Sequence, residues 1–351
     1  MKDDVKIIHS SIDITNSTIE GDLNAGSSFF TDFNFIFRGD INFGGSTFIS
    51  SVWFNGAIFT RNVNFIGSTF GKHASFRGAV FGRLGGGILD SVNFQGTTFD
   101  YAYFDDATFS RMLIFRNAKF NTSASFNRTT FNEWVIFLDV IFKYASFSGS
   151  NFNGSVNFEG VKSESGLLTF RNAIFAHAGN QEAACRLAKI FLSTTGNRDE
   201  EEYHFYREME AKRIWKGIRK NKFAEIQPAL INSVKTRNVR GIKNFLAYDV
   251  LEFSFVQTIF GYGVHPFWLF GWWLVFVVVF AAIYLIKGGI EQPEAKQWYD
   301  YFWFSVATAA TPGYALYKPL GMFKFLAGIE AILGTFMWAA FITTFARKFM
   351  R

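Results

Sequence analysis

Side chains that could carry out chemistry are few and far apart along the sequence. The single cysteine, Cys185, and the five histidines follow no pattern, so they do not predict a nucleophile beside a base. Glu330 is the only ionisable residue in the apolar stretch at 325–346. Because carboxylates within membrane segments usually have a partner, Glu330 is a candidate functional residue. We predict no catalytic site, no enzymatic activity and no cofactor.

Two long apolar stretches must position Glu330. Residues 267–286 contain no charge, and residues 325–346 are followed by Arg347 and Lys348. A helix of about 20 residues extends about 30 Å, which is the thickness of a bilayer's hydrocarbon core. Basic residues flank the cytoplasmic side of both stretches and place residues 287–324 outside. The sequence therefore predicts a multi-pass protein of the plasma (cell inner) membrane with cytoplasmic N- and C-termini.

The segment between the two spans is too hydrophobic for an ordinary loop. Residues 298–308, with the sequence WYDYFWFSVAT, predict a short amphipathic helix that dips into the membrane. Non-helical backbone at membrane depth is tolerated only where it is buried in protein or lines water. A re-entrant element that lines a pore meets this condition.

Residues 303–319, WFSVATAATPGYALYKP, resemble the pore helix and selectivity filter of the two-transmembrane potassium channels. The family pattern Thr-x-x-Thr-Val-Gly-Tyr-Gly-Asp, followed by Pro, is matched in register by Thr308, Thr311, Gly313, Tyr314 and Pro319. The resemblance implies a homotetramer whose filter carbonyls replace the hydration shell of a monovalent cation, K⁺ or Na⁺. It assigns the filter to Thr311, Pro312, Gly313, Tyr314 and Ala315, pore-helix support to Thr308, and a gate hinge to Gly334. As a carboxyl group within a membrane helix, Glu330 is predicted to support the pore helix from behind.

Three departures from the family pattern bear on ion selectivity. Pro312 replaces Val or Ile and removes an amide, and Leu316 replaces an Asp that braces the filter. Ala315 replaces a glycine at positive φ, which costs another residue roughly 1–2 kcal/mol. We expect Thr311 and the carbonyls of Pro312 and Gly313 to form well-defined ion-binding sites at the inner end of the filter. These departures leave the selectivity for K⁺ open. Gly334 also has two interpretations, a hinge or close packing between helices.

The N-terminal half contains a ladder of phenylalanines. From Phe43 to Phe175, Phe recurs at intervals that alternate mostly between five and six, unlike a helix or a plain strand. A small or β-branched residue, such as Ser68 or Ala79, lies two positions before most of them. These residues resemble the pentapeptide-repeat family with Phe at the central position. The resemblance implies a right-handed quadrilateral β-helix with a Phe core and roughly 22 residues per coil.

The predicted fold is a multidomain β + α membrane protein. It consists of a cytoplasmic pentapeptide-repeat β-helix at 1–178, a basic helical connector at 179–260 and a two-helix pore domain at 261–351. Within that domain the first span lies at about 267–286, the pore helix and filter at about 298–316 and the second span at about 325–346.

The distribution of charge limits the partners that we expect. Residues 1–178 carry 14 Lys and Arg against 15 Asp and Glu, a net charge of −1, which argues against an acidic surface that mimics DNA. Basic residues between Arg207 and Lys243 could contact anionic lipid headgroups, or could be solvated helix faces. Nucleic-acid binding is not indicated, because no aromatic platform accompanies these bases.

Two functions remain open at this point. The first is a tetrameric cation channel, for K⁺ or weakly selective among monovalent cations, with a cytoplasmic scaffold or sensor. The alternative is a membrane-anchored interaction protein with a degenerate, non-conducting pore. The segment from Thr308 to Pro319 favours the channel, since a simple anchor has no use for these residues in register.

Overall fold

The computed structural model describes residues 5–25, 34–82, 91–215, 266–291, 297–310 and 318–349. The chain forms two compact units, Met1–Gly217 and Ile218–Arg351. Among the described residues, the first unit contains short parallel strands followed by two helices, and the second contains three helices and one antiparallel strand pair.

The strands of the first unit form three parallel sheets, each of which runs the length of the ladder. The first sheet contains Val5–Ile8, Asn34–Phe37, Ile58–Phe59, Val80–Phe81, Thr108–Phe109, Thr130–Phe131, Asn151–Phe152 and Ile174–Phe175. The second contains Ile12–Asp13, Ile41–Asn42, Val63–Asn64, Ser91–Asn93, Met112–Ile114, Val135–Ile136 and Val156–Asn157. The third contains Thr18–Ile19, Leu23–Asn24, Thr47–Phe48, Val52–Trp53, Thr69–Ser75, Thr98–Tyr103, Lys119–Ser125, Ile141–Ser146 and Lys162–Thr169.

Four columns of stacked phenylalanine rings fill the interior of these coils. One column contains Phe48, Phe70, Phe99, Phe120 and Phe142, whose successive ring centroids lie 4.8–4.9 Å apart. This distance equals the spacing of hydrogen-bonded strands, so each coil adds one ring to each column. Neighbouring columns meet edge to face, the arrangement that aromatic quadrupoles favour. The predicted β-helix with a phenylalanine core is confirmed.

Left-handed residues form the corners in the five-residue intervals of the ladder, such as Phe65 to Phe70 and Phe104 to Phe109. A residue in the left-handed conformation precedes the small inward residue, as at Gly67 (φ 66°) before Ser68 and Asp106 (φ 59°) before Ala107. Gly has no Cβ to clash there, and Asp tolerates this region better than most residues. Inward hydroxyls also find partners, since the buried Ser68 donates to the carbonyl of Phe43 at 2.7 Å.

Two helices follow the last coil and pack against it. Helix α1 spans Ala178–Leu192 and helix α2 spans Arg198–Trp215, with Gly196 (φ 72°) in the turn between them. Arg207 of α2 donates to the carbonyl of Ala173, and the phenol of Tyr203 accepts from the amide of Asn172. Buried residues of α1 belong to the same apolar core as the Phe columns. Both helices are therefore part of the compact unit that the β-helix forms.

The single cysteine lies in this interface. Cys185 on α1 is buried, and burial raises the pKa of its thiol to about 12, opposed by the charge of Arg207. A thiol with so high a pKa is almost entirely protonated at neutral pH, so it is a poor nucleophile.

His204 on α2 accounts for a pH dependence of this unit. Its side chain is fully buried, and its Nε2 accepts the backbone N–H of Phe170 at 3.3 Å. Burial, together with the positive charges of Arg207 and Arg171, lowers the pKa of His204 to about 3. As the pH falls, the unfolded chain therefore binds a proton at His204 at a much higher pH than the folded chain does.

We expect the stability of the first unit to fall as the pH drops from about 6.5 to about 3, by about 1.4 kcal/mol per pH unit from this group. His204→Gln should remove that part of the slope, whereas His9→Gln, at an exposed position, should keep it. Chemical denaturation across this pH range measures both. Equal slopes in wild type and His204→Gln would contradict the assignment.

The described part of the second unit contains three helices. Helix α3 spans Pro266–Lys287, helix α4 spans Trp298–Ala310 and helix α5 spans Phe323–Phe349. The strands Ile290–Glu291 and Lys318–Pro319, which flank α4 in the sequence, form an antiparallel pair. Each of the three helices packs against the other two.

Candidate pore-forming site

Two helices of the second unit are long and apolar enough to cross a membrane. They are Phe267–Lys287 of α3 and Phe323–Ala346 of α5. Their bounds agree with the two spans predicted from the sequence to within two residues. The predicted pair of membrane helices is confirmed, and the protein is a membrane protein.

Helix α4 is too short to cross a membrane. Its 13 residues extend about 20 Å, against about 30 Å for the hydrocarbon core. Its buried residues recur at intervals of three and four, so they form one face: Tyr301, Phe304, Ser305, Thr308 and Ala309. This face contacts both α3 and α5.

Two apolar clusters hold α4 between the spans. Towards the end of α4, Ala309 packs with Leu269, Trp273, Val277 and Met337. Towards its start, a second cluster contains Tyr284, Ile290, Tyr301, Phe304 and Ala327. Since each cluster contains residues of all three helices, α4 is held in place along its whole length.

A buried polar cluster lies between the two apolar clusters. Glu330 on α5 is fully buried, and the phenol of Tyr284 on α3 donates to its Oε2 at 2.7 Å. The hydroxyl of Ser305 on α4 contacts Oε1 of Glu330 and lies 2.9 Å from the carbonyl oxygen of Val277. We call Glu330, Tyr284, Ser305 and the Val277 carbonyl the Glu330 cluster. It joins α4 to both spans through hydrogen bonds.

Gly334 lies where α5 crosses the end of α4. A Cβ at this position would lie 2.5 Å from the carbonyl oxygen of Ala309 and 2.6 Å from its Cα. No side chain fits at such distances, so glycine lets the two backbones approach. Helix α5 is continuous through Gly334. The geometry supports the packing interpretation of this glycine.

Thr308, predicted to support the pore helix, lies on the buried face of α4. Its hydroxyl oxygen has no hydrogen-bond partner among the described residues. The predicted filter residues Thr311, Pro312, Gly313, Tyr314 and Ala315 lie outside the described residues, as does Leu316.

Sequence reasoning did not identify Tyr284, Ser305 or Ala309 as parts of the site. For two of them the sequence contains a weak indication. Tyr284 is a polar residue near the end of an otherwise apolar span, and Ser305 lies three residues before Thr308, on the same helix face. Which of these side chains meets Glu330 depends on how the helices are rotated about their axes, which the sequence pattern does not fix.

Two family models match separate segments of the chain. The family model of pentapeptide repeats matches residues 33–80 and 111–150 with nine copies, and the model of an ion channel domain matches residues 272–351. No curated protein and no solved structure matches the chain. Both resemblances found in the sequence are confirmed by these matches.

Proposed function

We propose that this chain, a fusion of pentapeptide repeats with an ion-channel domain, is one subunit of a tetrameric cation channel. Helix α4 is the observation that carries the proposal. It is too short to cross a membrane, and apolar and polar contacts hold it between two helices that are long enough. A pore needs such a rigid element, because the non-helical backbone that follows it must line water.

A simple membrane anchor for the β-helix accounts less well for these contacts. A carboxyl group within the membrane is costly unless it has partners, and an anchor gains nothing from one. Here Glu330 is fully buried and meets hydroxyl groups from both α3 and α4. This arrangement supports a channel over a non-conducting anchor and over an enzyme.

The proposed assembly has four chains around one ion path. One chain supplies two spans and a single short helix, and the two-transmembrane potassium channels that it resembles are tetramers. Helix α5 offers apolar surface for subunit and lipid contacts, with exposed fractions of 78% at Phe325, 72% at Ile332 and 61% at Phe336.

For the topology, we propose a plasma (cell inner) membrane location with both termini in the cytoplasm. The β-helix then acts there as a scaffold or a sensor surface, and the basic connector contacts anionic lipid headgroups. The ions that pass are monovalent cations, K⁺ or Na⁺.

Ala315→Gly tests the proposed filter. If Ala315 occupies the position where related filters have a glycine, the change relieves strain of roughly 1–2 kcal/mol. We expect the K⁺/Na⁺ permeability ratio to rise by about 5- to 30-fold, the equilibrium factor for that energy. Bi-ionic reversal potentials measure the ratio. Ala282→Gly, at an exposed position on α3, is the matched control. An unchanged ratio in Ala315→Gly would contradict this account of the filter.

Ion flux in liposomes tests the function itself. The purified full chain should release K⁺ from loaded vesicles, and its native mass in detergent should equal four chains of 39.9 kDa. A monomer without flux would favour the membrane anchor. Net anion flux would overturn the pore assignment.

A further inference from the structure

The hydrogen atoms of the Glu330 cluster can be counted. Three polar contacts join its four groups: Tyr284 to Oε2 of Glu330, Ser305 to Oε1 of Glu330, and Ser305 to the carbonyl oxygen of Val277. Every hydrogen bond needs one hydrogen, and a hydroxyl group has only one to donate. Tyr284 and Ser305 therefore supply two hydrogens for three contacts.

The Val277 carbonyl is an acceptor only, so the hydrogen of Ser305 must point at it. The contact between Ser305 and Glu330 then requires a hydrogen from the carboxyl group. We propose that Glu330 is a protonated carboxylic acid that donates to Ser305, so that a chain of three hydrogen bonds, Tyr284 to Glu330 to Ser305 to Val277, fixes α4 between the two spans. Glu330 is thus a positioning residue whose proton is part of the site.

The surroundings of the cluster favour the neutral acid. Glu330 is fully buried, and no described Lys, Arg or His forms an ion pair with it. The titratable groups on the faces packed here are Tyr284 of α3 and Tyr301 of α4, one turn before Ser305, while Lys324 of α5 is exposed. A buried, unpaired carboxylate would be far costlier than the acid.

Removal of this proton has a defined consequence. When hydroxide takes the proton as water, two hydrogens are left for three contacts, and a negative charge remains in an apolar site. One contact must break, so one of the hydrogen bonds that link the three helices is lost, while the apolar contacts of α4 remain. On the proposed function, on which this regulatory step rests, alkaline pH should reduce ion flux at least about fivefold, the lower end of usual coupling free energies.

Infrared spectroscopy of the full chain tests the proton directly. Glu330→Gln keeps an N–H for Ser305 and a carbonyl for Tyr284 but has no proton to lose. The wild type minus Glu330→Gln difference spectrum at neutral pH should contain the carbonyl band of a carboxylic acid. Glu291→Gln, at an exposed position of the antiparallel strand pair, should leave this band in place. Carboxylate bands in the Glu330→Gln difference spectrum would overturn the proposal.

The ratio of flux at alkaline pH to flux at neutral pH is the second measurement. It should be near one in Glu330→Gln, and a ratio as low as that of wild type would assign the response to another group, such as Tyr284. If Glu330→Gln does not fold, Ser305→Ala removes the acceptor of the Glu330 proton and should shift the carbonyl band. An unshifted band overturns the assignment. A carbonyl band in a chain that carries no ions would uphold the proton and refute the channel.

Discussion

Gly334→Ala should lower ion flux at least about fivefold, although alanine normally stabilises a helix relative to glycine. The new Cβ would lie 2.5 Å from the Ala309 carbonyl oxygen and 2.7 Å from its Cβ. Backbone and a short side chain cannot move aside, so α4 and α5 must separate. Overpacking of this kind costs typically 1–3 kcal/mol. About 1.4 kcal/mol corresponds to a tenfold change in an equilibrium constant.

Gly328→Ala is the matched control for this change. It lies on the same helix, and a Cβ there would meet nothing within 4 Å. We therefore expect its flux and thermal stability to equal or exceed those of wild type. Flux assays on both variants in liposomes, with matched protein content, make the comparison. Equal flux in Gly334→Ala and wild type would show that close packing of α4 against α5 is not needed for conduction.

Phe104→Ala should destabilise the first unit by about 3–5 kcal/mol, the usual range for the loss of a buried Phe. Its side chain is fully buried in the middle of a column, stacked on Phe76 at 5.1 Å and on Phe126 at 4.9 Å. Neighbouring rings cannot close the cavity, because the hydrogen-bonded strands fix the spacing of the coils.

Trp134→Ala removes a larger ring from the outer surface of the same β-helix, where 61% of the side chain is exposed. We expect the free energy of unfolding of this variant to fall by no more than about 0.5 kcal/mol. Denaturant unfolding of the full chain, followed by circular dichroism of the β-helix, measures both. Similar losses in the two variants would mean that the Phe columns are not the source of stability.

The β-helix could be predicted from its sequence because its geometry repeats. A single inward Phe in each short side and a small residue two positions earlier leave one arrangement that buries them all. The packing of α1 and α2 against its last coil was harder to predict. His204 and Arg207 are ordinary residues of a charged helix, and their contacts with Phe170 and Ala173 depend on tertiary packing rather than on any local pattern.

The membrane unit could be predicted to a smaller extent. Length and hydropathy determine the two spans, and Glu330 stands out because a charge is costly in an apolar helix. The partners of Glu330 and the neighbour of Gly334 are set by the rotation and spacing of three helices. Small and polar residues, such as Ala309 and Ser305, become informative only once those helices are placed.

The reversal potential of the purified channel in a planar bilayer tests the central claim most directly. With a KCl gradient across the bilayer, the reversal potential reports which ion carries the current. Our account predicts a reversal potential close to the equilibrium potential of K⁺, since the ion path conducts cations. A reversal potential close to that of Cl⁻, or no current from a folded and reconstituted protein, would contradict it.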